Sequence, residues 1–370
     1  MKSSALILMS ASLLLVACGQ DDSTTDDLVG DAVEQDATGD SDADDAGGDS
    51  DTVDDATEEV TDAEPDADGS GAQDVESDGA DGRTTPPTTT ECFAPYVRIE
   101  NFGPQYEQFE PVVGYHCLGT NHQDIQNVQK VVFFGDSVAA GTPPTPREGF
   151  FRTILTERLT ERYGEDLVVE NYSAFGARTD DLIRPSRQQF ITAFPEPEPL
   201  TTLVIMTIGG NDLFKWVEMN TDGESKEAIF AKVDEAIQFM REAIEWLREP
   251  SRFPNGVYIL FGNTYEFTDG TGNVGSCEAA NALGIGAPWP DAPDALIRFN
   301  EAFMEIAVDT GSDMIFMQEE FCGRGFMAGT EEAVCDRGYT GEPWFDPTCI
   351  HPTPDGHLAI ANMFWAVILE

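Results

Sequence analysis

Four short stretches of this chain carry residue types that together can do covalent chemistry. Ser137 ends an apolar run in VVFFGDSVAAG (131–141), Gly176 closes NYSAFG (171–176), Asn211 stands in IGGND (208–212) and His351 in IHPTPDGH (350–357). A serine hydroxyl is a poor nucleophile near neutral pH and needs a base to take its proton. Histidine suits that task because its pKa lies near working pH. Attack on an ester carbonyl creates an oxyanion that needs preorganised donors, and the Ser137 N–H, the Gly176 N–H and the Asn211 amide are three candidates. Glycine at 176 lets the backbone approach a substrate with no side chain in the way.

Each residue also has a plainer reading. Ser137 could cap a following helix, but a cap does not call for GGND and a distant His-Pro. Asn211 could shape a turn, since Gly-Asn is turn chemistry. Asp136 and Asp212 read as braces that hold their loops through backbone hydrogen bonds. Of the four histidines, His116 and His122 precede the first block in a cysteine-bearing region and read as structural. His357, six residues beyond His351, reads as packing, which leaves His351 as the base.

Something must hold these stretches together. KVVFFG (130–135), LVVENYS (167–173), LTTLVIMTIGG (200–210), GVYILFG (256–262) and DMIFMQ (313–318) read as strands with little alternation. Helical spacing runs over 150–164, near 179–193, and over 225–249, 294–310 and 355–370. Apolar strands separated by helices predict an α/β fold, a three-layer α/β/α arrangement around a central, mostly parallel five-stranded sheet. Sites in such sheets form at the carboxyl ends of the strands, where GDS, NYSAFG and GGND all fall. The connections 263–293 and 319–350 are rich in glycine and carry Phe267, Trp289, Phe326 and Trp344. They form a substrate rim, or those aromatics pack the loops themselves.

The ends of the chain say where it works. Lys2 and an apolar run, residues 5–17, fit a signal peptide and are too short for a spanning helix. Leu15-Val16-Ala17-Cys18 resembles a bacterial lipobox, which implies cleavage before Cys18 and lipid on its sulfur, so that contact with the membrane is through that lipid alone. Gly19, where enteric-type sorting would read Asp, favours the outer membrane of a bacterial cell envelope. Residues 18–91 form an acidic segment. Positions 19–91 hold 26 acidic residues and one basic one, Arg83, and no aromatic. It cannot bury enough apolar surface to fold and is expected to be a disordered tether. EPDADG (64–69) alternates acids like a calcium loop, but its twelfth position is Val75. A net charge of −49 excludes nucleic-acid binding by phosphate neutralisation. Six further cysteines in an exported chain imply three disulfides, with the sequential pairing Cys92–Cys117, Cys277–Cys322 and Cys335–Cys349 as the expectation. None has metal-cluster spacing, and no metal or cofactor is expected.

On these motifs the chain resembles the SGNH, or GDSL-type, hydrolases, whose fold is flavodoxin-like. GDSVAAG matches the first block of that family, NYSAFG the second, GGND the third and IHPTPDGH the last. The resemblance covers about 130–357 and makes residues 92–370 the hydrolase domain, with 92–129 a disulfide-stapled extension. It implies a serine esterase working through an acyl-enzyme; a monomer is the expectation, though the resemblance does not decide it. Ser137 is then the nucleophile, His351 the base, and Ser137, Gly176 and Asn211 the oxyanion donors. Substrates range from acyl lipids to O-acetylated polysaccharides, and the resemblance does not choose. One position departs from the pattern: relatives carry an aspartate three residues before the histidine, and here that residue is Thr348. Asp346, five before, or a backbone carbonyl such as that of Thr348, is left to orient the ring. The competing reading is a non-catalytic ligand- or glycan-binding surface lipoprotein on a degenerate form of the same fold. A P-loop is excluded because GDSVAAGTP lacks the GK[ST] ending.

Overall fold

The computed structural model of the protein describes residues 85–97, 103–338 and 341–370. The signal-like stretch 1–17, Cys18, the acidic segment up to residue 84 and the EPDADG string lie outside the described residues.

The elements follow in chain order as α1 (Thr89–Phe93), β1 (Lys130–Gly135), α2 (Ser137–Ala140), α3 (Phe151–Tyr163), β2 (Val168–Asn171), α4 (Gln189–Ala193), β3 (Thr202–Thr207) and α5 (Gly210–Thr221). After these come α6 (Lys226–Arg248), β4 (Val257–Gly262), α7 (Glu278–Leu283), α8 (Ala292–Thr310), β5 (Asp313–Ile315), α9 (Met317–Phe321) and α10 (Pro354–Leu369). The five strands lie in the order β2-β1-β3-β4-β5, and every adjacent pair is parallel. The register sets Gly135 beside Thr207 and Phe133 beside Asn171, so β1 and β3 end level and β2 ends two residues short of them.

Residues of β1 and β3 are buried throughout because both faces of the sheet are covered. Alternate side chains separate the two layers. Val131, Phe133, Leu203, Ile205 and Leu260 pack with α3 and α10, while Val132, Phe134, Val204, Met206, Ile259 and Phe261 pack with α6 and α8. Helix α6 earns its place through Ile229, Val233, Ala236, Met240, Ala243 and Leu247, a 3–4 spaced apolar face. Its start is fixed by the Ser225 hydroxyl, which accepts from Ala228 N at 3.2 Å.

Several expectations need correction. The helix near 179–193 is divided at Pro185 into a turn of 3-10 helix, Thr179–Leu182, and α4. The last strand stops at Ile315, and Met317–Phe321 turns helical. Helix α5 was not expected at all. Order begins before Cys92: Thr88 and Glu91 form a reciprocal capping box for α1, and the Thr89 hydroxyl bonds Glu107. The disulfides are Cys92–Cys117, as expected, with Cys277–Cys349 and Cys322–Cys335 in place of the sequential pairs. The reason is local folding of the long connection. Asp269 accepts from Gly323 N, Gly325 N and Met327 N at 2.8–2.9 Å, curling 319–335 onto itself so that Cys322 meets Cys335. Cys349 is then free to meet Cys277 across the sheet edge.

Candidate active site

Strand β1 ends at Gly135 with φ 109°, where a Cβ would come within 1.9 Å of the Thr207 carbonyl oxygen. Only glycine lets the two strand ends lie this close. Gln189 binds both backbone groups of Gly135, donating to its carbonyl and accepting from its N–H, each at 2.9 Å. The chain then turns directly into α2. Asp136 is the cap, accepting from Val138 N at 3.0 Å and from the Thr207 hydroxyl at 3.1 Å. Because Asp136 caps, the Ser137 hydroxyl is not needed for that role. Burial pushes the Asp136 carboxyl up to about 7.

His351 reaches Ser137 from the other end of the chain. Its Nε2 lies 2.9 Å from Ser137 Oγ, and both residues are largely buried, at 4% and 7% exposure. The loop that carries it is pinned on every side. Phe345 pairs with Pro352 as an antiparallel bridge, Asp346 N donates to the His351 carbonyl at 2.9 Å, and the Tyr265 hydroxyl donates to the Ile350 carbonyl at 3.0 Å. Cys349, at φ 69°, is tied to Cys277. Two residues after His351, Thr353 caps α10, with Pro354 in its first turn. His357 lies in α10, accepts from Phe151 N at 3.3 Å and stacks on Phe151, as a packing residue would. His116 faces Glu370 and His122 the Ser312 carbonyl, both away from this loop's contacts.

The partner of His351 Nδ1 is the Thr348 hydroxyl, at 3.0 Å. Thr348 in turn bonds Asp346 Oδ1 through its hydroxyl and, at 2.9 Å, through its N–H. Asp346 Oδ2 is 3.8 Å from Nδ1, beyond hydrogen-bond length, and has no hydrogen-bond partner among the described residues. The arrangement differs from both expectations in its hydrogen bonds: the carboxylate stands in ion-pair range of the ring without bonding it directly, and Thr348 acts through its side chain, not its carbonyl. Sequence reasoning missed the hydroxyl. The available signal was that a side chain able to accept a hydrogen bond stands at the position relatives give to aspartate.

Asn211 is placed by α5. Gly209 precedes the helix at φ 111°, and Asp212 accepts from Thr179 N and the Thr179 hydroxyl at 3.1 and 3.0 Å. That latch brings α5 against the second block, where the Asn211 amide donates to the Ala177 carbonyl at 2.9 Å and keeps a second N–H for a ligand. Gly176 occupies the left-handed position, φ 72°, of the turn closed by Ala177 N and the Ala174 carbonyl at 3.1 Å. Ser137, Asn211 and His351 line one cavity of about 140 Å³, as do Gly210, Thr348 and Cys349; Gly176 and Asp346 do not line it. The rest of its wall is mostly apolar, from Leu213, Phe214 and Val217 of α5, Leu283, Ile285 and Trp289 of the 263–293 connection, and Leu296 and Ile297 of α8, with Asp136, Glu266, Asn300 and Gln318 among the polar exceptions.

Burial lowers the pKa of His351 below its usual 6.5, and the Asp346 charge opposes this only in part. A base must be neutral, and a lowered pKa keeps it neutral further to the acid side. The acid limb of a kcat/KM profile is therefore expected to have its midpoint below pH 6.5, measured by stopped hydrolysis of an ester across pH 4–9. A midpoint above 6.5 would contradict this reading of the site.

Residues 133–359 match the GDSL-like lipase/acylhydrolase family. Among curated proteins none matches the chain. Solved structures that resemble it do so at low identity. A gut microbial diltiazem-metabolizing enzyme is 13% identical with a TM-score of 0.44, covering 67% of this chain and 49% of its own, so the chain spans about half that enzyme's length. An acetyl xylan esterase is 18% identical, TM-score 0.42, covering 65% of this chain and 99% of its own. An extracellular lipase from Streptomyces rimosus is 18% identical, TM-score 0.41, covering 65% of this chain and all of its own.

Proposed function

The chain belongs to the GDSL-like lipase/acylhydrolase family, and on that premise we propose that it hydrolyses carboxylic esters of medium-chain acyl groups through an acyl-enzyme on Ser137. The observation that carries the reading is the Ser137–His351 contact of 2.9 Å at the wall of an apolar cavity. His351 takes the Ser137 proton as Oγ bonds the acyl carbon, and returns it to the departing alkoxide. Water then repeats the sequence on the acyl-enzyme. Oxyanion charge falls to the Asn211 amide and to backbone N–H groups at the start of α2. Because the nearby cap Asp136 already serves that helix, the serine is available for chemistry.

The cavity supports an acyl chain longer than acetyl. An apolar cavity of about 150 Å³ admits a six-carbon ring, and this one is of about 140 Å³. Each buried methylene contributes about 0.8 kcal/mol, close to fourfold in binding. A series of p-nitrophenyl esters from two to twelve carbons is expected to peak near six to eight, with kcat/KM at least about 10-fold above acetate. Leu213→Trp, which fills the cavity from α5, should lower the peak and leave acetate turnover in place. A preference for acetate in the wild-type chain would refute the acyl assignment, and failure of a fluorophosphonate to label Ser137 would refute hydrolysis itself. Attachment to a bacterial envelope through lipid on Cys18 is part of the same proposal and is supported by the sequence string 5–18.

A further inference from the structure

We infer that Thr348 is a positioning residue that connects His351 to Asp346 by a one-way chain of hydrogen bonds, replacing direct carboxylate contact. The inference rests on the reading of Ser137 and His351 as the reacting pair. Its basis is the count of protons. An ionised carboxylate only accepts, so the Thr348 hydroxyl and N–H, both bonded to Asp346 Oδ1, are both donors. A hydroxyl has one proton, and here it is committed to Asp346. What Thr348 Oγ1 presents to His351 Nδ1, 3.0 Å away, is therefore a lone pair. Nδ1 must carry the ring proton, which leaves the Nε2 lone pair to face the Ser137 hydroxyl.

The direction is thus fixed throughout: Ser137 O–H to Nε2, Nδ1–H to Thr348 Oγ1, Thr348 O–H to Asp346 Oδ1. Without Asp346 the threonine hydroxyl could turn and donate to Nδ1, which would move the ring proton to Nε2 and disarm the base. When His351 takes the serine proton, the positive charge forms with Asp346 Oδ2 at 3.8 Å, close enough to act through space. Asp346 is buried and, among the described residues, its Oδ2 has no hydrogen-bond partner, which leaves its charge to act on the ring through space. The position three before the histidine therefore keeps its task with a neutral side chain, and the charge is set two residues further back.

The test uses the full chain and p-nitrophenyl hexanoate. Thr348→Val keeps the shape and removes the hydroxyl. It should lower kcat about 100-fold with KM within about threefold. Thr348→Ser, which keeps the hydroxyl, should restore kcat to within about fivefold of wild type. Asp346→Asn can still accept from Thr348 N and should lower kcat about 10-fold. It should also move the acid limb of kcat/KM further to low pH, because a charge that raises the His351 pKa is gone. The other titratable groups around His351 are unchanged in these variants: His357 on α10, and Asp136, Tyr265 and Glu266 on the cavity wall. Thermal melts by circular dichroism establish that each variant is folded. A Thr348→Val rate within threefold of wild type overturns the inference, because Asp346 or no group at all would then suffice. A loss shared equally by Thr348→Ser overturns it too, since the hydroxyl is retained. Either result leaves hydrolysis by Ser137 standing. If the wild-type chain neither turns over the ester nor reacts with a fluorophosphonate, the functional reading fails and the inference falls with it.

Discussion

Ser137→Ala is expected to abolish ester turnover, by roughly 10⁴- to 10⁶-fold, while the protein folds as before. The loss follows because the hydroxyl that meets His351 Nε2, at 2.9 Å, is that of Ser137. The fold survives because the serine side chain supports nothing else: Asp136 caps α2, Gln189 holds Gly135, and the Thr207 hydroxyl braces Asp136. Alanine is also a better helix residue than serine, so a four-residue helix loses nothing by it. Three readouts separate the outcomes. Initial rates on p-nitrophenyl hexanoate should fall to background. Intact-mass spectra should lose the fluorophosphonate adduct that the wild type acquires. Thermal melts of the two proteins should superimpose. A variant that retains rates near wild type would place the nucleophile elsewhere.

Asn211→Ala should lower kcat by about 10² to 10³, or about 3–4 kcal/mol of barrier, with little change in KM. The asymmetry between the two constants is the point. Charge on the carbonyl oxygen develops after binding, so a donor aimed at it contributes mainly in the transition state. Asn211 also holds α5 to the second block through the Ala177 carbonyl at 2.9 Å. Losing that bond costs about 1 kcal/mol of stability and a few degrees in the melt. The Asp212 latch onto Thr179 remains in the variant, so the helix stays docked. Asn211→Asp keeps the shape but offers no donor, and is expected to lose as much activity as alanine. Should either variant stay within fivefold of wild type, oxyanion stabilisation rests on backbone groups alone.

Much of this site was legible in the sequence for one physical reason. A parallel sheet covered on both faces makes its strands uniformly apolar, so the first polar residues after each run mark the carboxyl edge. GDS after β1 and GGND after β3 are such marks, and the register sets those strand ends level. What stayed hidden depended on tertiary contacts or on side-chain direction. Helix α5 begins with Gly-Asn, which reads as a turn, although Leu213, Trp216 and Val217 carry helical spacing. The cysteine pairing was set by Asp269 gathering three backbone N–H groups of a distant loop, which no spacing rule conveys. The orienting group for His351 was sought among carboxylates and carbonyls, and the hydroxyl of Thr348 was passed over because a threonine before a cysteine gives no periodic signal. Gly176 was assigned from its motif. The structure supplies its left-handed turn, while Gly210 stands in the cavity wall.

The Cys277–Cys349 bond joins residues 72 positions apart, closing a ring that starts in the cavity wall and ends two positions before the imidazole. In a chain-entropy account, such a loop gains about 4–5 kcal/mol from closure. Specificity and reactivity are thereby made to mature together. Without that bond the histidine loop would rest on its bridge and hydrogen bonds alone, with nothing covalent joining it to the groove wall. The same cross-link therefore ties the shape of the acyl groove to the placement of the base, so that cleaving one bond is expected to loosen both.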